Sequence, residues 1–214
     1  MNIACLDLEG VLVPEIWIEF AHATNISELR RTTRDEPDYH KLMDFRIATL
    51  AQHGLGIKEI QEVISGIDPL PGAQEFLAHL REQMQVVIIS DTFEEFARPL
   101  MQKLGWPTIL CNSLVLSGND VVGIKMRCKD SKLTTVRALQ SAGLETIATG
   151  DSYNDLAMIR ASKAGFLFCT TDQIRRENPD LAAYETYDEL LGAFVAAAAA
   201  PAPSASAPSA PAVR

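Results

Sequence analysis

The sequence is poor in the residues that build disulfide frameworks and zinc sites. Its 214 residues include only four cysteines, none in a C-x-x-C pair, and four histidines without H-x-x-x-H or H-E-x-x-H spacing. Scattered cysteines in a chain of this size are typical of reduced thiols in a cytosolic protein. We therefore expect a cytoplasmic protein with neither a disulfide framework nor a zinc site.

Basic residues are also scarce, with 19 lysines and arginines against 28 aspartates and glutamates, for a net charge of −9. This excess disfavours nucleic acid and anionic membranes as partners, because both require a broad positive surface. The apolar runs are far shorter than the roughly 20 residues that cross a bilayer. The short apolar stretch at the N-terminus has no basic residues before it, so we expect no secretory signal. A small anionic substrate would need a metal ion or helix ends to bind it.

The remaining composition, 47% hydrophobic and 22% charged, is that of a globular protein with a sizeable core. The exception is the C-terminal stretch of residues 195–214, which consists almost entirely of alanine, proline and serine. We predict a disordered tail there. The alanines at its start also favour an extension of the last helix over Tyr187–Ala199, because alanine has the highest helix propensity.

Short apolar runs alternate with helical patterns along most of the chain. Continuous apolar runs are typical of strands buried on both faces of a parallel sheet. The predicted strands are Ile3–Leu6, Val86–Ile89, Thr108–Leu110, Thr146–Ala148 and Gly165–Phe168. One helix is predicted to begin at Pro71, a second to end at Gly105, and a third to run from near Asp130 to Gly143. This order predicts an α/β fold with a doubly wound, mainly parallel sheet, formed by residues 1–13 and 71–194.

Two segments interrupt that order. Residues 14–70 carry helical patterns, such as Ile57, Ile60 and Ile64, and we interpret them as a small helical cap inserted after the first strand. A cap at that point would cover the carboxyl ends of the strands, where α/β sheets bind ligands. Further along, the runs Leu114–Leu116 and Val121–Ile124 flank Ser-Gly-Asn-Asp, which predicts a β-hairpin.

Four polar clusters each follow a predicted strand or begin a predicted helix. They are Asp7-Leu-Glu9-Gly10, Ser90-Asp91, Asp130-Ser-Lys132 and Gly150-Asp151-Ser-Tyr-Asn154-Asp155. Each cluster alone is weak evidence for a site. In a doubly wound sheet, however, all four would converge at the carboxyl edge of the strands, where we therefore expect the chemistry.

Carboxylates dominate these clusters. Asp7 and Glu9 stand two apart on a segment that we take as extended, so both could face one pocket. One acid could attack covalently while the other protonates the leaving group. Asp151 and Asp155 add oxygen ligands that, with Asp7, suit Mg²⁺. The alternatives are an ordinary acidic turn and, for Asp155, a helix-start residue favoured by the helix dipole.

Three further side chains suit phosphate binding. Lys132 lies in the first turn of a predicted helix, where free amides favour anions, although a solvated lysine is the alternative. The Ser90 hydroxyl could bind phosphate or cap a helix, and Asn154 could be a helix N-cap. A nucleophilic acid, a second acid, Mg²⁺, a hydroxyl and a lysine together indicate phosphoryl transfer through an aspartyl-phosphate.

The four clusters resemble, in order and across residues 1 to about 170, the four motifs of the haloacid dehalogenase superfamily. The resemblance implies that Asp7 is the nucleophile and Glu9 the acid/base, with Ser90 and Lys132 also catalytic. It further implies that Mg²⁺ is held by Asp7, the backbone carbonyl of Glu9 and Asp151.

The first motif departs from the usual pattern, with Glu9 in place of aspartate and Val11 in place of the frequent threonine. This variant opening, together with Ser90-Asp-Thr-Phe, is similar to the bacterial bifunctional phosphoserine phosphatase/homoserine phosphotransferases. That similarity implies phosphoserine as substrate and water or homoserine as acceptor, with Glu15 binding the amine and Arg46 the carboxylate. It also places four residues at the substrate, namely Ser90, Asp91, Lys132 and Asn154. On local evidence alone, Glu15 and Arg46 fit solvated helix charges better than substrate-binding residues.

Two alternative functions stay open. Another small phosphate monoester could be the substrate, because motifs and fold do not determine it. A phospho-acceptor signalling module also uses an aspartate and Mg²⁺, although the cap and the second acid, Glu9, argue against it. The sequence leaves open how the phosphoryl group divides between water and homoserine, and whether the chain forms a homodimer.

Overall fold

In the computed structural model, which describes residues 1–32, 35–36 and 38–201, a seven-stranded sheet runs in the order β4-β3-β2-β1-β5-β6-β7. The strands are β1 Asn2–Leu6, β2 Gln85–Phe93, β3 Ile109–Ser117, β4 Asp120–Lys125, β5 Glu145–Gly150, β6 Ala164–Phe168 and β7 Ala182–Tyr184. Neighbouring strands pair in parallel, and β4 joins β3 antiparallel as a hairpin. The predicted doubly wound, mainly parallel α/β fold and its hairpin are confirmed.

Helices cover both faces of this sheet. They are α1 Ile16–Thr24, α2 Tyr39–Gln52, α3 Ile57–Ser65, α4 Ala73–Gln83, α5 Glu94–Lys103, α6 Ser131–Ser141, α7 Leu156–Ala161, α8 Asp172–Glu177 and α9 Tyr187–Ala199. Side chains alternate along β1, so that Ala4 and Leu6 face one core while Ile3 and Cys5 face the other. The first core includes α1–α5 and α9, and the second includes α6–α8.

The segment between β1 and α4 is helical. Its described residues form α1, α2, α3 and a 3-10 turn, Ser27–Arg30. Trp17 and Phe20 of α1 are buried, and the Trp17 ring lies 5.1 Å from the Phe96 ring of α5. The helical segment therefore packs on the hairpin side of the sheet, next to β2 and β3. Its treatment as a separate cap stays a prediction.

Four element boundaries differ from those expected. The runs Thr108–Leu110 and Leu114–Leu116 contribute to one continuous strand, β3, and β2 continues through Ser90 and Asp91 to Phe93. A register shift between Ile89 and Phe93 lets β2 continue while its polar residues leave the regular ladder. Helix α4 begins at Ala73, after Pro71. Strand β7 was not predicted, because its three residues are too few to show a hydrophobic periodicity.

The last helix confirms the alanine extension, since α9 ends at Ala199. Residues 195–199 therefore belong to a helix and not to the expected tail. The rest of that prediction, residues 202–214, lies outside the described residues. Within the described ranges, no helix combines the length and hydrophobicity that a membrane span requires.

Candidate active site

The sheet order brings the four polar clusters together. Strand β1 lies between β2 and β5, so Asp7, directly after β1, is flanked by Ser90 on β2 and Asp151 directly after β5. Lys132 lies in the first turn of α6, which packs on this part of the sheet. The convergence expected from the sequence is therefore present at the carboxyl ends of the parallel strands.

Lys132 lies between two carboxylates at the centre of the cluster. Its Nζ is 2.9 Å from Asp7 Oδ2 and 2.6 Å from Asp155 Oδ1, and all three side chains are buried. Burial lowers the pKa of Lys132, but the two carboxylates outweigh burial and hold its pKa above the ordinary value. The alternative of a solvated lysine is wrong, because this ammonium neutralises charge inside the protein.

The surroundings of Asp7 favour its neutral form, whereas those of Lys132 favour the charged form. Burial raises its pKa well above the usual range, Asp155 raises it further, and Lys132 partly opposes both. One oxygen, Oδ1, accepts a 2.8 Å hydrogen bond from the Leu8 backbone amide, while Oδ2 pairs with Lys132. These contacts fix the orientation of the Asp7 carboxylate at the end of β1.

Carboxylate oxygens of Asp7, Asp151 and Asp155 all lie within 4.8 Å of one another. Burial raises the pKa of Asp151 to about 7, with a further contribution from Asp155. Gly10 makes this proximity feasible: its φ is +76°, and a Cβ there would lie 2.5 Å from Asp151 Cγ. Three clustered carboxylates are the donors that a hard divalent cation prefers.

Asp155 also organises its own loop. Its Oδ2 accepts hydrogen bonds from the backbone amides of Asp151 and Ser152, at 3.2 and 3.1 Å. Gly150 permits this fold-back, because a Cβ there would lie 2.2 Å from Asp155 Cγ. Asp155 is therefore a helix-start residue, the N-cap of α7, as the alternative expected, and its carboxylate additionally binds Lys132.

Glu9 is a second acid with an altered pKa. Its Oε2 accepts a 2.9 Å hydrogen bond from the Ile16 amide at the start of α1. Burial raises the pKa of Glu9 to about 8, and the neighbouring Glu15 carboxylate contributes to the rise. The chain bends at Leu8, so the extended segment that we expected is interrupted. Even so, Lys132 influences the pKa values of both Asp7 and Glu9.

The Asp91 carboxylate binds both the start of α6 and the 3-10 turn after β5. Its Oδ1 accepts from Ser131 Oγ at 2.7 Å, and its Oδ2 accepts from Asn154 Nδ2 at 3.0 Å. Asn154 lies in the 3-10 turn Tyr153–Asp155, whose N-cap is Ser152, so the N-cap interpretation of Asn154 is wrong. Ser90, which precedes Asp91, is buried on β2.

The Ser90 hydroxyl accepts a 3.2 Å hydrogen bond from the Thr92 amide. The alternative of a capping serine is wrong, because the N-cap of α5 is Phe93. Ser90 is 2% exposed and lies on β2, the strand next to β1, which Asp7 follows.

The helical segment contributes Arg46 and Glu15. The Arg46 guanidinium is buried, lies 4.4 Å from the centre of the Trp17 ring and donates to the Arg31 carbonyl at 2.7 Å. Burial lowers the pKa of Arg46 to about 10, while Tyr39, Glu9 and Glu15 act to raise it. Arg46 is therefore not a solvated helix charge. Glu15 is exposed and immediately precedes α1, beside Glu9.

Two residues that support the site were not anticipated. Asn112 of β3 donates to the Asp91 carbonyl at 2.9 Å and accepts from the Arg127 amide at 3.0 Å. Thr170 donates to the Asp151 carbonyl at 2.5 Å. Thr170 follows the carboxyl end of β6, the same signal that identified the other clusters, whereas Asn112 lies within a strand and carries no such signal.

Comparisons with known proteins identify the family. The haloacid dehalogenase-like hydrolase family matches residues 1–163. Phosphoserine phosphatase ThrH of Pseudomonas aeruginosa is 52% identical over 92% of this chain and 97% of that protein. A phosphoserine phosphatase of Pseudomonas syringae pv. tomato is also 52% identical, over 92% of this chain and 84% of its own.

Solved structures agree on the fold. A substrate-bound phosphoserine phosphatase superposes with a TM-score of 0.73 at 19% identity, over 90% of this chain and 97% of that one. An apo phosphoserine phosphatase superposes with a TM-score of 0.72 at 20% identity, over 89% and 98% of the two chains.

Proposed function

The chain belongs to the haloacid dehalogenase-like hydrolases, and we propose that it is a phosphoserine phosphatase that forms an aspartyl-phosphate on Asp7. The observation that carries the proposal is the position of Asp7, buried beside Lys132 at the end of β1 and within 4.8 Å of two further aspartates. The relatives that are 52% identical over nearly the whole chain support phosphoserine as the substrate.

Mg²⁺ is the proposed cofactor. The donor set fits a hard divalent cation, and the glycine at position 10 leaves room for the Asp151 carboxylate beside Asp7. Asp7, Asp151 and the backbone carbonyl of Glu9 would hold the ion. Asp155 is less suited, because its Oδ1 accepts from Lys132 and its Oδ2 from three donors of the loop, the Asp151 and Ser152 amides and the Ser152 hydroxyl, whereas each Asp7 oxygen has one such partner. When bound, the ion neutralises phosphate charge and orients the phosphoryl group.

Asp7 attacks phosphorus in line, so that a bond forms between its carboxylate oxygen and phosphorus while the bond to the serine oxygen breaks. The Leu8 amide and Lys132 hold the Asp7 carboxylate in one orientation for this attack. Lys132 and the Ser90 hydroxyl bind the phosphoryl oxygens, and Lys132 offsets their developing charge.

Glu9 donates the proton that the departing serine oxygen requires. Its pKa of about 8 keeps it protonated at neutral pH, which suits a general acid. The resulting glutamate then accepts a proton from water, or from an alcohol such as homoserine, as that acceptor attacks the aspartyl-phosphate. Glu9 thereby serves as acid in the first half-reaction and as base in the second.

The helical segment, residues 14–70, acts as a cap in this proposal. Glu15 binds the substrate ammonium, and Arg46 binds its carboxylate. The proximity of the two is supported by the Glu15 carboxylate, which acts to raise the pKa values of both Arg46 and Glu9. Asp91 and Asn154 hold the phosphate-binding loops through their mutual hydrogen bond. The four unpaired cysteines support a cytoplasmic location.

One assay tests the proposal. Purified protein receives phosphoserine with Mg²⁺, with and without homoserine, and free phosphate and phosphohomoserine are both followed. We expect phosphate release that EDTA stops, and phosphohomoserine when homoserine is present. Failure to turn over phosphoserine, with turnover of another phosphate monoester, would refute the assigned substrate and leave the chemistry intact.

A further inference from the structure

Helix α3 of the helical segment is capped by a residue from the β3–β4 hairpin. The N-cap position of α3 is Gly56, which has no side chain to accept hydrogen bonds. Instead, the backbone carbonyl of Asn119 accepts from the Ile57 amide at 2.7 Å, and its Oδ1 accepts from the Lys58 amide at 3.1 Å. Two amides at the start of α3 are thus satisfied from a position about sixty residues away in sequence.

The Asn119 side chain makes a further bond in the same place. Its Nδ2 donates to Glu59 Oε2 at 2.8 Å, and that oxygen also accepts from the Gly56 amide at 3.0 Å. A Cβ on Gly56 would lie 2.1 Å from Asn119 Nδ2 and 2.5 Å from its carbonyl oxygen. Gly56 has a φ of −91°, which any residue adopts, so the glycine is required by the approach of Asn119 and not by the backbone.

The other end of the same hairpin reaches the active site. Asn112 of β3 donates to the Asp91 carbonyl, and its Oδ1 accepts from the Arg127 amide just beyond β4. Between these ends, the Leu114 amide donates to Glu95, whose carbonyl accepts from Gln61 of α3. The hairpin therefore connects the helical segment to the end of β2 that carries Ser90 and Asp91.

We propose that Asn119 is a positioning residue that latches the helical segment over the active site and so governs which acceptor takes the phosphoryl group. The inference rests on the proposed function. A segment held against the hairpin excludes water from the aspartyl-phosphate and leaves the bound alcohol as the acceptor. A released segment admits water, so hydrolysis gains at the expense of transfer.

Asn119→Ala removes the side-chain half of the latch. Asp120→Ala is the matched control, since Asp120 is exposed one position later, at the start of β4. Hydrogen exchange is measured at the amides of Ile57 and Lys58. The ratio of phosphohomoserine to phosphate is measured with phosphoserine and homoserine. We expect Asn119→Ala to speed exchange about tenfold and lower the ratio at least about threefold, with both unchanged in the control.

Gly56→Ala disturbs the contact between α3 and the hairpin at the α3 end, because the new Cβ displaces the Asn119 side chain. We expect it to change exchange and the product ratio in the same direction as Asn119→Ala. The double variant should exchange faster still at Ile57, because the new Cβ also lies 2.5 Å from the Asn119 backbone carbonyl, which Asn119→Ala leaves in place. Unchanged exchange or an unchanged product ratio in Asn119→Ala and Gly56→Ala would overturn the latch. A wild-type protein that does not turn over phosphoserine would instead refute the proposed function, and hydrogen exchange would still decide the structural role of Asn119.

Discussion

Gly10 and Asp151 come from loops after different strands, and they approach so closely that a Cβ on Gly10 would lie 2.5 Å from the Asp151 Cγ. The loop after β1 is therefore in contact with the loop after β5 at the position where the carboxylates cluster. Any side chain at position 10 must displace Asp151 or move the nucleophile loop.

Gly10→Ala should weaken Mg²⁺ binding at least about tenfold, as expected when a group that orients a metal ligand is disturbed. The Mg²⁺ dependence of kcat/KM and calorimetric titration of Mg²⁺ without substrate both measure this. Gly143→Ala is the control, because Gly143 has a similar φ of +81° and a Cβ added there would meet nothing within 4 Å. It should cost about 1 kcal/mol of stability and leave Mg²⁺ binding unchanged. Equal effects on Mg²⁺ binding in the two variants would contradict the role of Gly10.

Lys132→Met should reduce kcat by about two to three orders of magnitude, because the ammonium is the charge placed beside Asp7. Without this ammonium, which lowers the pKa of Asp7, the nucleophile would hold its proton more strongly and would also be weakened. Steady-state kinetics with phosphoserine measures the loss. Lys163→Met removes another ion-paired lysine, 2.6 Å from Glu145, and should keep full activity. Retained activity in Lys132→Met would remove Lys132 from the mechanism.

The pH dependence should reflect Glu9, whose pKa is raised to about 8. Since the proposed first step needs protonated Glu9, kcat/KM should fall as pH rises through about 8, approaching about tenfold per unit above it. A pH–rate profile of wild type and Glu9→Gln makes the comparison. The glutamine variant should be slow and should lack this alkaline limb. A limb that persists in Glu9→Gln belongs to another group.

Asp151→Asn should stabilise the metal-free protein at pH 8. The pKa of Asp151 is raised to about 7 on folding, so its stabilising contribution is present at low pH and is lost as pH rises through about 7. Removing that charge should raise Tm by about 4 °C, corresponding to about 1–2 kcal/mol, while Mg²⁺ no longer adds stability. Thermal melts at pH 5 and 8, with and without Mg²⁺, test this. As a control, Asp44→Asn, at an exposed position on α2, should leave Tm unchanged. A lower Tm in Asp151→Asn would contradict the destabilising effect of the buried Asp151 charge.

Much of the fold follows from local signals. The buried strands are continuous apolar runs, and the polar clusters stand where those runs end, so the parallel order was sufficient to bring Asp7, Ser90 and Asp151 together. The family, too, was recognised from these motifs and is confirmed.

The remaining features depend on contacts between distant parts of the chain. Arg46 is buried on Trp17, although locally it fits a solvated helix charge. Asn119 caps a helix that begins at Ile57, although its own sequence predicts only a hairpin turn. The dual role of Asp155 likewise depends on Lys132, 23 residues away in sequence. Neither hydrophobic period nor helix-cap preference contains information about such pairs.

The central claim is that Asp7 carries the phosphoryl group, and trapping the phosphoenzyme tests it most directly. Protein incubated with ³²P-labelled phosphoserine and Mg²⁺ is quenched in acid, digested and mapped by mass spectrometry. We predict label on the peptide that contains Asp7, no label in Asp7→Asn, and loss of turnover in that variant. Label on another residue, or undiminished turnover by Asp7→Asn, would contradict the account.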